Sequence, residues 1–277
     1  MIGGALLLNR RTENQQAQQV PTPNVSPGST PEGHLANLPS PPASPSESPQ
    51  VKPTRAEALV VLNDRGRTIT VDKTGNVSGL DDVSGSTRNE IAKVLLTERI
   101  EPPATLKNLT DQEGALRGGT SAQAFKLISP VRTVVPSDHP TFKWEIVPQA
   151  SAYRVYVNDA SGKIAARSDE LEPNRREWVA PQPLKRGEIY AWSVVATVNR
   201  KEIVSPGTSS PQVKFQVLSN SNLRQLNNLK KTRSHLALGV FCARVGMISE
   251  AKREFEQLMR LNPRSRITRN LLRNMLR

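Results

Sequence analysis

Short runs in which apolar and polar residues alternate fill residues 126–219, and this pattern limits the fold more than any other feature of the chain. The run TFKWEIVPQASAYRVYV, residues 141–157, is the clearest example. Side chains of a β-strand point alternately to its two faces, so Phe142, Trp144 and Ile146 share one face of their strand. Seven such runs, separated by Pro, Gly, Asn and Asp, predict an all-β sandwich of two packed sheets.

The aromatic residues of these runs are expected to form the sandwich core rather than a ligand-stacking surface. Tyr153 shares a face with Val157, and Tyr190 shares a face with Trp192. An apolar sheet face of this kind packs against an opposing sheet. Tyr156 has the opposite parity and is the aromatic residue that we expect to be exposed. Stacking of Tyr156 on a sugar or a peptide remains the alternative.

Residues 12–54 lack the apolar side chains that a core needs. They contain ten of the 22 prolines of the chain. Such a segment cannot offset its ordering entropy by burial, which predicts a disordered and partly extended tether. Short PxxP matches within it leave a docking ligand as the alternative to a plain spacer.

The first 11 residues, MIGGALLLNRR, form a short apolar segment. The apolar run is shorter than the roughly 20 residues that span a bilayer, and it lacks the leading positive charge of a signal peptide. Because it ends in Arg10 and Arg11 and opens onto the tether, we expect it to be the end of a membrane helix that begins before Met1.

Residues 55–125 are predicted to contain a small ββα unit followed by a linker. The strand-like runs ALVVL and TITVD are separated by NDRGR, which suits a tight reversal. A helix should follow, capped by Ser86 or Thr87, with Ile91, Val94 and Leu95 on its apolar side. The double proline after Glu101 should end this helix. The spacing of the nearby aspartates does not match a calcium-binding loop.

Residues 220–277 change to helical periodicity. Leucine and valine recur three, four and seven positions apart up to Val240. A second helix is expected after Gly246, capped by Ser249 and closed by Pro263. The last segment is amphipathic, with Ile267 and Leu271 on its apolar side. The segment as a whole predicts a helical hairpin followed by a basic amphipathic C-terminal helix.

The sequence shows no motif for catalysis or metal binding. It has no G-x-S-x-G elbow, P-loop or H-E-x-x-H pattern. Its one cysteine, Cys242, excludes an internal disulfide and a multi-cysteine metal site, and its helical position favours an inert apolar role. We therefore predict no catalytic residue, metal or cofactor. An enzymatic site could arise only from carboxylates that are distant in sequence.

The sandwich runs resemble fibronectin type III and immunoglobulin-like domains. The likeness rests on FKWEIVPQASAYRVYV, where a strand tryptophan is followed by a turn and a tyrosine-bearing strand, and on LKRGEIYAWSVVA. It covers about a third of the chain. The resemblance implies a spacer or a ligand-presenting domain without catalysis, and it is specific to fold rather than to function.

The helical segment resembles a tetratricopeptide repeat. The matching residues are Leu238, Gly239, Gly246, Ala251, Phe255 and Pro263. The sequence departs from the repeat at His235, Cys242 and Leu258, so the hairpin is supported more firmly than the binding groove. Only one copy is readable, whereas stacked repeats need about three. The hairpin must therefore pack on the last segment, the sandwich or a second chain.

Taken in order, these segments resemble the extracytoplasmic part of bacterial membrane-anchored anti-sigma-factor-like proteins. This implies a protein-interaction or scaffold role on the periplasmic side of the cell envelope. By resemblance to the repeat, a protein partner would contact the inward positions of its first helix. These are Arg233, Leu236, Val240, Ala243 and Arg244. The two arginines favour an acidic segment or a C-terminal carboxylate as the ligand.

A second hypothesis rests on charge. Residues 224–277 hold 13 basic and three acidic residues, a net charge of +10 out of +13 for the whole chain. The polar side of the last helix could contact an anionic membrane or polymer, or it could be only a solvated face. Its candidate residues are Arg266, Arg269, Arg273 and Arg277. Nucleic acid is not favoured, because interleaved aromatic residues are missing. The sequence leaves the oligomeric state open.

Overall fold

The computed structural model describes residues 58–101, 103–110, 125–207 and 210–275. The predicted apolar start and proline-rich tether, residues 1–54, lie outside these ranges. The fold is mixed, with antiparallel and mixed sheets and six helices in the described part of the chain. At this level the predicted combination of sheet and helix segments is confirmed.

The first described unit is a three-stranded antiparallel sheet followed by a helix. Its elements are β1 (Ala58–Asp64), β2 (Arg67–Asp72), β3 (Val77–Ser78) and α1 (Gly85–Thr97). The two-residue turn at Arg65 and Gly66 has φ of 54° and 83°, the left-handed values that a tight hairpin requires. The reversal at NDRGR is thus confirmed, and β3 is an additional short strand.

The helix of this unit begins earlier than the sequence predicted. Its cap is Ser84, not Ser86 or Thr87, and the Ser84 side chain accepts a hydrogen bond from the Thr87 N–H. Ser84 has the extended backbone of a cap, whereas Ser86 and Thr87 already lie within the helix. The predicted apolar side is confirmed, because Ile91, Val94 and Leu95 are buried.

A short helix, α2 (Ala104–Thr110), precedes the central sandwich. The sandwich strands are β4 (Leu127–Ser129), β5 (Thr133–Val135), β6 (Thr141–Trp144), β7 (Ala150–Asp159), β8 (Ile164–Arg167), β9 (Glu177–Val179), β10 (Ile189–Val198), β11 (Lys201–Ser205) and β12 (Val213–Val217). One sheet has the order β4-β6-β9. The other has the order β5-β12-β10-β7-β8, with β11 also paired to β10.

The core of the sandwich is the predicted aromatic stripe. Phe142, Trp144, Tyr153 and Trp192 are each at most 2% exposed. The rings of Trp144 and Tyr153 lie 5.6 Å apart across the two sheets. The expectation that Ile146 shares this face is wrong, because β6 ends at Trp144 and the alternation stops there, leaving Ile146 36% exposed.

Four helices form the C-terminal part. They are α3 (Asn220–Thr232), α4 (His235–Val245), α5 (Ile248–Leu261) and α6 (Arg266–Met275). Gly246 ends α4 with a φ of 86°, which suits glycine. The predicted Ser249 cap is wrong: the cap is Met247, two residues earlier, and it makes no side-chain cap bond.

The helices and the N-terminal unit share one hydrophobic core. Residues of β1, β2 and α1 pack together with residues of α3 to α6, and Val134 and Leu218 join them from the sandwich. Of the three supports considered for the hairpin, two are realised: α5 packs on α6, and the sandwich contacts the hairpin through β5, where the Val134 N–H donates a 2.9 Å hydrogen bond to the Gly246 carbonyl. The N-terminal unit, which was not among them, is a further support through α1 and α4.

Candidate functional site

The junction between the N-terminal unit and the helices is built around the carboxylate of Asp64. It is 1% exposed and accepts a 2.6 Å hydrogen bond from Ser234 Oγ. The backbone N–H groups of His235 and Leu236 also donate to it, at 3.0 and 3.1 Å. The last residue of β1 therefore caps α4, where the positive end of the helix dipole favours a negative charge.

A second contact across this junction determines the tautomer of His235. Arg65 Nε donates a 2.8 Å hydrogen bond to His235 Nε2, so this nitrogen must be the unprotonated acceptor. His235 Nδ1 then carries the proton and donates it to Glu254 Oε2 at 2.7 Å. The imidazole thereby joins the β1–β2 turn to α4 and α5. Both ring nitrogens of His235 are therefore bonded within the protein.

The predicted partner-binding residues of α4 are largely enclosed by the chain itself. Leu236, Val240 and Ala243 are 0–2% exposed. Arg244 pairs with Glu90 of α1 and stacks over the ring of Phe241, 5.7 Å from its centroid. Arg233 is exposed, in the left-handed conformation that ends α3. In the folded chain, α1 lies over the helix face that the repeat resemblance assigned to an external partner.

The predicted anion-contacting residues lie on α6, whose apolar side is used internally. Leu271 is fully buried, and Ile267, Leu272 and Met275 pack on the same core.

Arg266 pairs with Glu98 at 3.3 Å, and Asn274 donates to the Glu98 carbonyl at 2.8 Å. Arg269 and Arg273 are exposed. Arg277 lies outside the described residues.

A different surface, the open edge of β1, emerges from the structure. The N–H of Asn63 donates to the side-chain oxygen of Asn262, and the Asn262 amide donates back to the Asn63 carbonyl, both at 2.7 Å. The backbone of Asn63 therefore points away from β2. Because backbone direction repeats every second residue in a strand, the N–H and C=O of Val61 point to the same edge. Asn262 occupies this edge beside Asn63, and within the described ranges no residue bonds the outward backbone groups of Val61.

This edge borders a groove with a volume of about 640 Å³. We call it the β1 groove. It is lined by Leu59, Val60, Val61, Leu95, Leu96, Glu98 and residues 262–267. Three apolar residues of this lining, Leu59, Val61 and Leu96, are 53%, 61% and 42% exposed. Arg264 and Arg266 stand at its rim with Glu98.

The sequence carried a partial signal for the β1 groove. The run ALVVL has apolar residues at every position, whereas a strand with one wet face would place polar residues at alternate positions. Leu59 and Val61 are therefore apolar on the face that is not buried. What the sequence did not contain was the position of the α5–α6 turn beside this strand.

Cys242 lies inside α4, in the inert apolar role that the sequence predicted for it. Its thiol is buried, and burial raises its pKa to about 12. Within the described ranges, no group of three or more His, Cys, Asp or Glu side chains is placed to hold a metal ion.

Comparison with known proteins gives little. No family model matches the chain, and no curated protein matches it. A crystal structure of CopC from Methylosinus trichosporium OB3b is 13% identical, with a TM-score of 0.26, over 35% of this chain and 95% of that one. A TM-score this low bears on neither the fold nor the function. None of the helices in the described ranges is both long and apolar enough to cross a membrane.

Proposed function

We propose that this chain is a non-catalytic protein-interaction or scaffold module of the bacterial cell envelope, on its extracytoplasmic side. The sandwich acts as a spacer. The helical hairpin, together with the ββα unit that packs on it, is the partner-binding element. We assign the binding site to the β1 groove instead of to the α4 face, because that face is enclosed by the chain itself.

Two features support the finer fold assignments within this proposal. The strands divide into β4-β6-β9 and a second sheet of β5, β12, β10, β7, β8 and β11, and this two-sheet division supports a fibronectin type III or immunoglobulin-like sandwich. In the hairpin, a Cβ added at Gly239 would lie 2.7 Å from Phe255 Cε1. This close helix approach at glycine supports a tetratricopeptide-like pair.

The observation that carries the proposal is the exposed apolar surface of the β1 groove. Leu59, Val61 and Leu96 are exposed and line the groove at the β1 edge, and Arg264 and Arg266 belong to the same lining. Contiguous exposed apolar residues with a polar rim are characteristic of protein-interaction sites. Open strand edges are in addition ready to pair with another chain.

Site-specific photo-crosslinking of the full chain in its own host tests this proposal. A photoreactive phenylalanine analogue at position 61 should give a discrete crosslinked protein. The same analogue at position 164, where Ile164 is 52% exposed on the sandwich, is the matched control and should not. Equal crosslinking at both positions, or none at position 61, would contradict a binding role for this surface.

The second candidate function is attachment to an anionic membrane or polymer through α6. The observation in its favour is that Arg269 and Arg273 are exposed on the side of α6 away from the core. Because the apolar side of α6 is packed inside the protein, the contact would be electrostatic and would weaken as salt rises. Deleting residues 264–277 is a poor test, since it removes the buried Leu271.

A further inference from the structure

We infer that the β1 groove binds an extended acidic peptide segment of a partner protein, which adds to the three-stranded sheet as a fourth strand beside β1. This rests on the proposed function and specifies the partner and its mode of binding.

The backbone of β1 supports strand addition. β1 is an edge strand in the order β1-β2-β3. The Asn262 side chain already imitates a neighbouring strand, because its amide both donates to and accepts from the backbone of Asn63. The next backbone groups along this edge belong to Val61. A bound peptide would continue the ladder there, by the exchange of N–H and C=O bonds that strand addition uses.

The register of β1 sets how far such a ladder can extend. The pairing of β1 with β2 shifts between Ala58 and Val60, so the strand has a bulge at Leu59. The regular open edge is therefore short and centred on Val61. Affinity must then come also from side chains, for which the exposed Leu96 and the half-buried Ile267 provide an apolar surface in the groove.

The charge around the groove selects an acidic segment. Arg264 and Arg266 stand at the rim, and both are exposed. The carboxylate that shares this rim, Glu98, already accepts from Arg266 and from the side chain of Asn270. The groove lining thus holds two guanidinium groups and one carboxylate that is already bonded. A lysine-rich strand would be repelled, whereas glutamate or aspartate side chains would be attracted.

Labelled peptides test the inference by fluorescence anisotropy with the full chain. The probe is an octapeptide of alternating valine and glutamate, and a valine–lysine octapeptide is its comparison. We expect the acidic probe to bind and the lysine peptide to bind at least about tenfold more weakly. The Arg264→Glu substitution should weaken binding of the acidic probe by about the same factor. Lys201→Glu, with an equal charge change on the sandwich, should not.

Two further peptides test the backbone contact. In one, all valine nitrogens are methylated, and in the other all glutamate nitrogens are. Alternate residues of a strand direct their N–H groups to opposite edges. Strand addition therefore predicts that one methylated peptide loses binding and the other keeps it. Equal binding of both, loss of both, or no binding of the unmodified acidic probe would overturn the inference.

Other occupants are distinguished in the same set of measurements. Sedimentation of the chain alone gives its oligomeric state. A dimer that Val61→Lys dissociates would assign the edge to a second copy of the chain and overturn the peptide proposal. A protein crosslinked at position 61 in cells, combined with no binding of the acidic probe, would overturn this inference while leaving the proposed function standing. If position 61 gives no crosslinked protein and the acidic probe does not bind, the proposed function is contradicted as well.

Discussion

The carboxylate of Asp64, the last residue of strand β1, lies 2.6 Å from the hydroxyl oxygen of Ser234, which caps helix α4. These residues are 170 positions apart in the chain. Their contact, with the two backbone N–H groups that also donate to Asp64, holds the N-terminal unit against the helices. It fixes β1 beside the α5–α6 turn and so helps to form the β1 groove.

Replacing Asp64 should therefore destabilise this body of the protein. Asp64→Ala leaves the Ser234 hydroxyl and the N–H groups of His235 and Leu236 without their buried acceptor, and we expect a loss of about 3 kcal/mol in unfolding free energy. Urea denaturation measures it. Asp81→Ala, in the exposed turn before α1, is the matched control and should change stability by less than about 0.5 kcal/mol. Equal effects would mean that the cap contributes nothing.

The close approach of α4 and α5 at Gly239 gives a second prediction. Gly239→Ala places a methyl group 2.7 Å from the ring of Phe255, and overpacking of this kind costs about 1–3 kcal/mol. Gly85→Ala, where nothing lies within 4 Å, is the control and should be neutral or slightly stabilising. If Phe255→Leu does not reduce the effect of Gly239→Ala in a double-mutant cycle, the contact is not the cause.

The ion pair of Arg244 with Glu90 tests whether α1 covers the face of α4. Both side chains are partly exposed, at 41% and 35%, so Arg244→Glu should cost only about 1 kcal/mol. Adding Glu90→Arg should restore most of the loss, because the charges are then exchanged. Thermal melts of the four proteins measure this coupling. Additive losses would show that the pair does not form in solution.

Burial of Cys242 predicts an unreactive thiol. Because burial raises its pKa to about 12, the thiolate fraction at pH 8 is on the order of one part in ten thousand. We expect no labelling by a disulfide reagent in the native protein between pH 7 and 9, and rapid labelling in denaturant. Rapid labelling of the native protein would place Cys242 near the surface and contradict the packing of α4.

The membrane alternative has its own substitution test. Arg269→Gln combined with Arg273→Gln should weaken binding to vesicles of anionic lipid by roughly thirtyfold, if α6 makes the contact. The melting temperature should not change. Arg175→Gln with Arg176→Gln on the sandwich is the control. Binding that both pairs reduce equally would indicate only the general positive charge of the chain.

Patterns local in sequence were predictable, and contacts distant in sequence were not. The alternation around Trp144 and Tyr153 placed the sandwich core correctly, because period two is a property of any strand. The caps at Ser84 and Met247 were not predicted, since several nearby residues can cap a helix and tertiary packing selects among them. The contact of Asp64 with α4 has no local signal, because a lone aspartate beside a turn is usually solvated.

The candidate site shows the same limit. The repeat resemblance directed attention to Leu236, Val240 and Ala243, which are apolar because they face α1 and the shared core. Sequence periodicity identifies an apolar face, but it does not reveal whether that face is covered by another part of the same chain. Val61 is also apolar, but no other part of the described chain covers it, and it remains exposed.

Residue-resolved amide hydrogen exchange of the free full chain, read at Val61 and Leu62, tests the β1 edge most directly. An unoccupied edge predicts fast exchange of the Val61 amide, which faces it, and slow exchange of the Leu62 amide, which is bonded to β2. Binding of the acidic probe should then slow the Val61 amide. Protection of Val61 in the free chain would mean that the edge is already occupied, and it would contradict the β1 groove as a binding site.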